Sequence, residues 1–288
     1  MSSATINPAD SSGQIRSRET VTAVVRPVVH PVSLRRSVVS EWIKLRSLRS
    51  TVIVMAVSFV AMAGIGILIA TSIAHQWPTM PAAQRQGFDP VGTALSGYNI
   101  AQLAAGVLGV LVVTGEYATG MIRSTLASVP RRLPMLWAKS LVFGAVTLAM
   151  TTAAAFIAFF GSQEVLSAQH IQTTITAPGV FRAVVGAALY LTLVGLTGVA
   201  LGALIRNTAG AISTLFAIIL LLPQVVGVLP QSIANDILPF LPSNTGDALM
   251  SVHRLDHMLS PWTGFAVLCG YVVVGLAGAA YLLKRRDA

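Results

Sequence analysis

The sequence predicts an all-α polytopic membrane protein with six transmembrane helices. Three observations carry this. The chain is 54% apolar and only 10% charged, whereas soluble domains carry about 25% charged residues. Six apolar runs are each near the ~20 residues needed to cross a hydrocarbon core. Sixteen of the 19 Lys and Arg residues fall in the termini or on alternate connections between those runs.

The elements follow in chain order. Residues 1–33 are rich in Ser, Thr, Val and Arg. They lack the continuous apolar core and small-residue cleavage site of a signal peptide, and are expected to form a mostly disordered cytoplasmic tail. Residues 34–50, LRRSVVSEWIKLRSLRS, place Leu34, Val38, Trp42, Leu45 and Leu48 at helical spacing. That is a basic amphipathic helix suited to the membrane interface. Glu41 falls inside its apolar stripe, so it is expected to face protein or to pair with Lys44 at i+3.

The membrane domain covers 51–284, with spans at about 52–74, 98–114, 140–160, 181–205, 209–229 and 264–283. The second is short and must lean on its flanks or start deeper. Gly198 and Gly202 suit close packing of the fourth, and Pro223 should kink the fifth. Residues 230–263 mix polar and apolar groups with four prolines. They are read as a short re-entrant or helical outer segment, with a plain surface loop as the alternative. Residues 285–288 form a second cytoplasmic tail.

Six spans put both termini on one side. The acids divide evenly between the two sides while the bases do not. This Lys/Arg bias predicts cytoplasmic termini in a cell membrane. It also accounts for the net charge of +9 without a nucleic-acid partner, since no water-exposed polybasic domain is visible.

Residues 115–139, GEYATGMIRSTLASVPRRLPMLWAK, stand on that cytoplasmic side. Packed helices are usually joined by two to eight residues, so the segment is longer than topology requires. Gly115 and Gly120 allow turns, Pro130 stops a helix and Pro134 can open one. A short surface helix is expected between them, presenting Glu116, Arg123, Arg131 and Arg132 to the cytoplasm.

Together, SEWIKLRSLRST and VLVVTGEYATGMIRSTLASVPRRLPMLWAKSLVF resemble the permease subunits of type-2 ABC exporters, particularly the actinobacterial branch. The resemblance runs from about residue 33 to the end. It implies that the first cytoplasmic loop holds a coupling helix docking on a separate ABC ATPase subunit. Glu116, Tyr117, Thr119, Gly120, Met121, Ile122 and Arg123 would occupy that helix, with Arg131 and Arg132 beside it. The leader and Glu41 would touch the same ATPase. It further implies two permeases, as a homodimer or heterodimer, with two ATPases, and short outer helices roofing an exit path. ATP and Mg would sit on the partner, and the chain itself would be no enzyme: it has no P-loop run G-x-x-x-x-G-K-[ST].

The resemblance implies that the second and fifth spans line the substrate path; its candidates are Asn99, Gln102 and Gln224, where mild polarity interrupts those spans, together with Phe216. Asn and Gln in a span also serve to tie helices together. Cargo of drug, lipid or peptide type fits spans without fixed charge. His253 and His257 stand at i, i+4 in HRLDH, but no third ligand is evident, and a polar outer loop is the expectation. Cys269 is the single cysteine, so no internal disulfide forms. No hydrolase elbow and no paired intramembrane acids appear. The competing reading is a non-transporting membrane scaffold or sensor anchor.

Overall fold

The computed structural model describes residues 34–47, 49–118, 132–252 and 258–285, all within one unit, Val32–Ala288. The described residues contain helices and no strand. Six helical stretches are long and apolar enough to cross a membrane. The helices are α1 Leu34–Ser47, α2 Arg49–Gln76, α3 Ala82–Gln86, α4 Pro90–Leu95, α5 Tyr98–Ala118 and α6 Arg132–Ser167, then α7 Val180–Ile205, α8 Thr208–Phe216, α9 Leu222–Gly227, α10 Gln231–Ile237, α11 Pro242–Met250 and α12 Pro261–Arg285. The tail 1–33, the segment 119–131 and the HRLDH motif lie outside the described residues.

α7 is the most enclosed of the membrane-length helices. It packs along α5 through small residues. A Cβ on Gly109 would stand 2.0 Å from the Gly195 carbonyl oxygen, and one on Gly198 would stand 2.3 Å from that of Gly106. Without hydrogen atoms in those places the two backbones could come no closer. This is the small-residue packing that membrane helices use where lipid offers no hydrophobic drive. α2 and α6 pack together and against this pair, and α12 lies along α7.

The short second span leans on its N-terminal flank. Asp89 caps α4 by accepting from the Val91 N–H at 2.9 Å, with Pro90 in the first turn where its missing N–H costs nothing. α4 then tucks under Gly66 of α2, where a Cβ would meet the Ala94 carbonyl oxygen.

Two helices extend further than their apolar runs. α5 continues past Gly115 to Ala118, so the expected turn at Gly115 does not form and Glu116 does not stand on a surface helix. α6 begins at Arg132 and runs for 36 residues, with Pro134 tolerated in its first turn. Charge ended both runs in the sequence. In the fold those charges are paired, as described below, and the helices continue.

The kink expected at Pro223 is a π turn, Ala217–Leu221, placed just upstream. Pro223 has no N–H for the Ile219 carbonyl and its ring crowds that group. The wider turn relieves both. Between α9 and α12 the chain forms α10, a 3₁₀ turn at Leu238–Phe240, and α11.

The four tryptophans mark the two ends of the bundle. Trp42 on α1 and Trp137 in the first turns of α6 are half-exposed at one end. Trp77 follows α2, and Trp262 opens α12 at the other. Tryptophan concentrates at both membrane–water boundaries.

Candidate functional site

Four charged side chains from three helices close a ring at the Trp42/Trp137 end. Lys139 of α6 donates to Glu41 Oε2 at 2.6 Å and to Glu116 Oε1 at 2.9 Å. Lys44 of α1 donates to Glu41 Oε1 and to Glu116 Oε1, each at 3.0 Å. Charges alternate around the ring and sum to zero. Glu41, Glu116 and Lys139 are buried, while the Lys44 side chain keeps 27% of its surface.

Local structure sets each member. Glu41 and Leu45 share the face of α1 turned toward α6, and both are buried. Lys44, one turn on from Glu41, sits at the rim of that face. Glu116 closes the last turn of α5, and Lys139 lies two turns into α6. The leader helix is thereby bonded to the helix entering the 119–131 segment and to the helix leaving it.

Burying charge is costly unless every charge is met. Here each cation reaches both acids. Burial alone would lower the Lys44 ammonium pKa. Its hydrogen bonds and attraction to Glu116 and Glu41 outweigh that and hold it above the usual lysine value. The ring occupies both carboxylates with cations. It is an electrostatic joint.

Nearby contacts extend the joint. Arg206, in the turn between α7 and α8, lies over the Tyr117 ring at 5.5 Å. Thr208 donates to Thr114 at 2.9 Å. Both tie the end of α5 to the start of α8.

A second polar joint stands toward the opposite end. Tyr98 of α5 donates to Asp247 of α11 at 2.6 Å. Arg182 of α7 donates to the Leu249 and Ser251 carbonyls at 2.7 and 2.8 Å. Below them the Tyr190 hydroxyl donates to Gln102.

The residues expected to matter divide accordingly. Glu41 and Glu116 meet in one site; Glu41 pairs with Lys44 as expected, whereas Glu116, expected on an exposed surface, is buried. Thr119, Gly120, Met121, Ile122, Arg123 and Arg131 lie outside the described residues, and Arg132 is the first residue of α6. Trp42 and Leu45, expected on one apolar stripe, part company: Leu45 is buried and Trp42 is half-exposed. Gln102 is buried, accepts from Tyr190 and donates to the Asn99 carbonyl, so it ties α5 to α7. Asn99 and Gln224 are exposed, and Phe216 is half-buried at the end of α8. Lys139 was missed. It stands at the border of an apolar run, where a base is already explained by topology. The usable signal was the pair of acids, Glu41 and Glu116, placed where an acid needs a cation.

No protein-family model matches the chain, and comparison with curated proteins gives no significant match.

Proposed function

We propose that the chain is the permease subunit of an ATP-binding-cassette exporter in the plasma membrane. Two copies would work with two separate ATPase subunits and move a drug, lipid or peptide-like substrate outward. The observation that carries this reading is the ring of Glu41, Lys44, Glu116 and Lys139. It mounts both ends of the 119–131 segment on one leader helix. A segment held this way transmits a push to α5 and α6 together, which a topological loop has no need to do.

In this reading the segment from Thr119 to Arg131 docks on the ATPase, and ATP with Mg stays on that partner. The excess of bases at the ring end supports cytoplasmic termini. Asn99, Gln224 and Phe216 remain candidates for the path between two copies, on surfaces that α5, α8 and α9 turn outward. Gln102 would stand behind them, where its bond to Tyr190 holds α5 to α7.

The test is purification of the tagged full-length chain from its native membranes. A P-loop ATPase should co-purify at one per permease. Replacing residues 119–131 by a Gly/Ser stretch of equal length should lose it while the chain stays dimeric and inserted. Absence of any P-loop protein from the wild-type preparation would favour the scaffold reading instead.

A further inference from the structure

We infer that α1 carries a binding face for anionic phospholipid headgroups, on the side away from the ring. The sequence suggested one apolar stripe on this helix, but the fold separates its surface into three. Glu41 and Leu45 face the protein and are buried. Ser40 and Ser47 are exposed on a polar edge. Val39, Trp42 and Ile43 are 50%, 50% and 60% exposed, and lie within a sector of about 100° on the remaining side.

Arg35 and Arg46 belong to that same sector and are exposed. Eleven residues separate them, close to three turns, so they point within about 20° of each other. No acid shares the sector. A face that mixes aliphatic groups, a tryptophan and two arginines is suited neither to water nor to a hydrocarbon core. It fits the headgroup layer, where the rings and methyl groups enter the acyl boundary and guanidiniums pair with phosphate.

Position in the molecule selects a bilayer as the occupant. α1 ends one residue before α2 begins, and α2 is a membrane-length helix. The face is therefore held within a few ångströms of the membrane boundary. Trp137, two residues before the ring's Lys139 on α6, is half-exposed as well. Two unopposed arginines select anionic over zwitterionic lipid. The lipid face and the ring are opposite sides of one helix, so headgroup binding presses α1 onto the joint that clamps α5 and α6.

The experiment uses full-length chain in nanodiscs of phosphatidylcholine, with or without phosphatidylglycerol. Nitroxide labels are placed at Ile43→Cys or Ser40→Cys, with Cys269→Ser to leave one thiol. With phosphatidylglycerol, the label at 43 should be open to oxygen and shielded from a water-soluble nickel chelate, and the label at 40 the reverse. Removing the anionic lipid, or introducing Arg35→Gln and Arg46→Gln, should raise chelate access at 43. Each arginine should change the docked-to-undocked ratio about fivefold. Arg85→Gln, at the other end of α2, should change nothing. Equal chelate access at 43 and 40 would overturn the inference. So would equal docking in both lipids, or a label at 43 shielded from oxygen as well, which would mean that protein covers the face. The readout needs no ATPase and stands apart from the transport reading.

Discussion

Lys139 meets two carboxylates at once, and removing it leaves two buried acids with one cation between them. Loss of one partner from a buried ion pair costs about 3–5 kcal/mol, whereas replacing a pair by apolar groups can be near neutral. Lys139→Met should therefore destabilise the chain by that amount in detergent unfolding titrations. Glu41→Leu with Lys139→Met leaves the neutral Lys44–Glu116 pair and should cost less than Lys139→Met alone. A double variant as unstable as the sum of its parts would contradict the ring as a unit. Lys44 adds a pH signature. Its folded pKa is raised, so its contribution is complete below the ordinary value of 10.5 and is lost as pH rises through the folded value. Spin-label distances between α1 and α6 should stay constant from neutral pH to the ordinary lysine value of 10.5 and lengthen above it. Glu41 was legible in the sequence because an acid inside an apolar stripe demands a partner. Lys139 was not, because a base at a membrane border demands none.

Helix packing gives a second kind of test. The α5–α7 contact rests on backbone approach at Gly109 and Gly198, where any Cβ meets a carbonyl oxygen of the facing helix. Gly109→Ala should force the helices apart and lower stability by several kcal/mol, the range of about 1–3 for overpacking being a lower bound where backbone must move. Gly270→Ala, on α12 with open space around it, should be neutral or stabilising by up to about 1 kcal/mol. Thermal melts in one detergent compare the two, and equal melting temperatures would count against close packing as the source of α5–α7 stability. Periodicity and hydropathy located the membrane-length helices because their length is set by the hydrocarbon thickness. The helices continue past their apolar runs through Glu116 and Lys139, whereas a hydropathy run stops at any charge. Only long-range pairing tells a helix that it can continue. The π turn was similarly hidden: Pro223 announces a disturbance but does not say which side of it yields.

For the whole molecule, the two polar joints lie toward opposite ends of α5. Glu116 binds its last turn to the leader and α6, and Tyr98 binds its first turn to α11. A helix tied at both ends can carry a displacement from the 119–131 segment toward the outer helices. The orientation this requires is cytoplasmic at the ring end, so a reporter fused after Ala288 should be active inside the cell only. In the proposed function the ring transmits force as one unit. The most direct measurement is substrate-stimulated ATP turnover of the chain reconstituted with the proposed ATPase subunit, carrying wild type, Lys139→Met, Glu116→Gln or both. Each single variant should lower stimulated turnover about tenfold, equivalent to ~1.4 kcal/mol, and the double should fall no further than the weaker single. Unchanged turnover in the single variants, or losses that multiply in the double, would contradict the account.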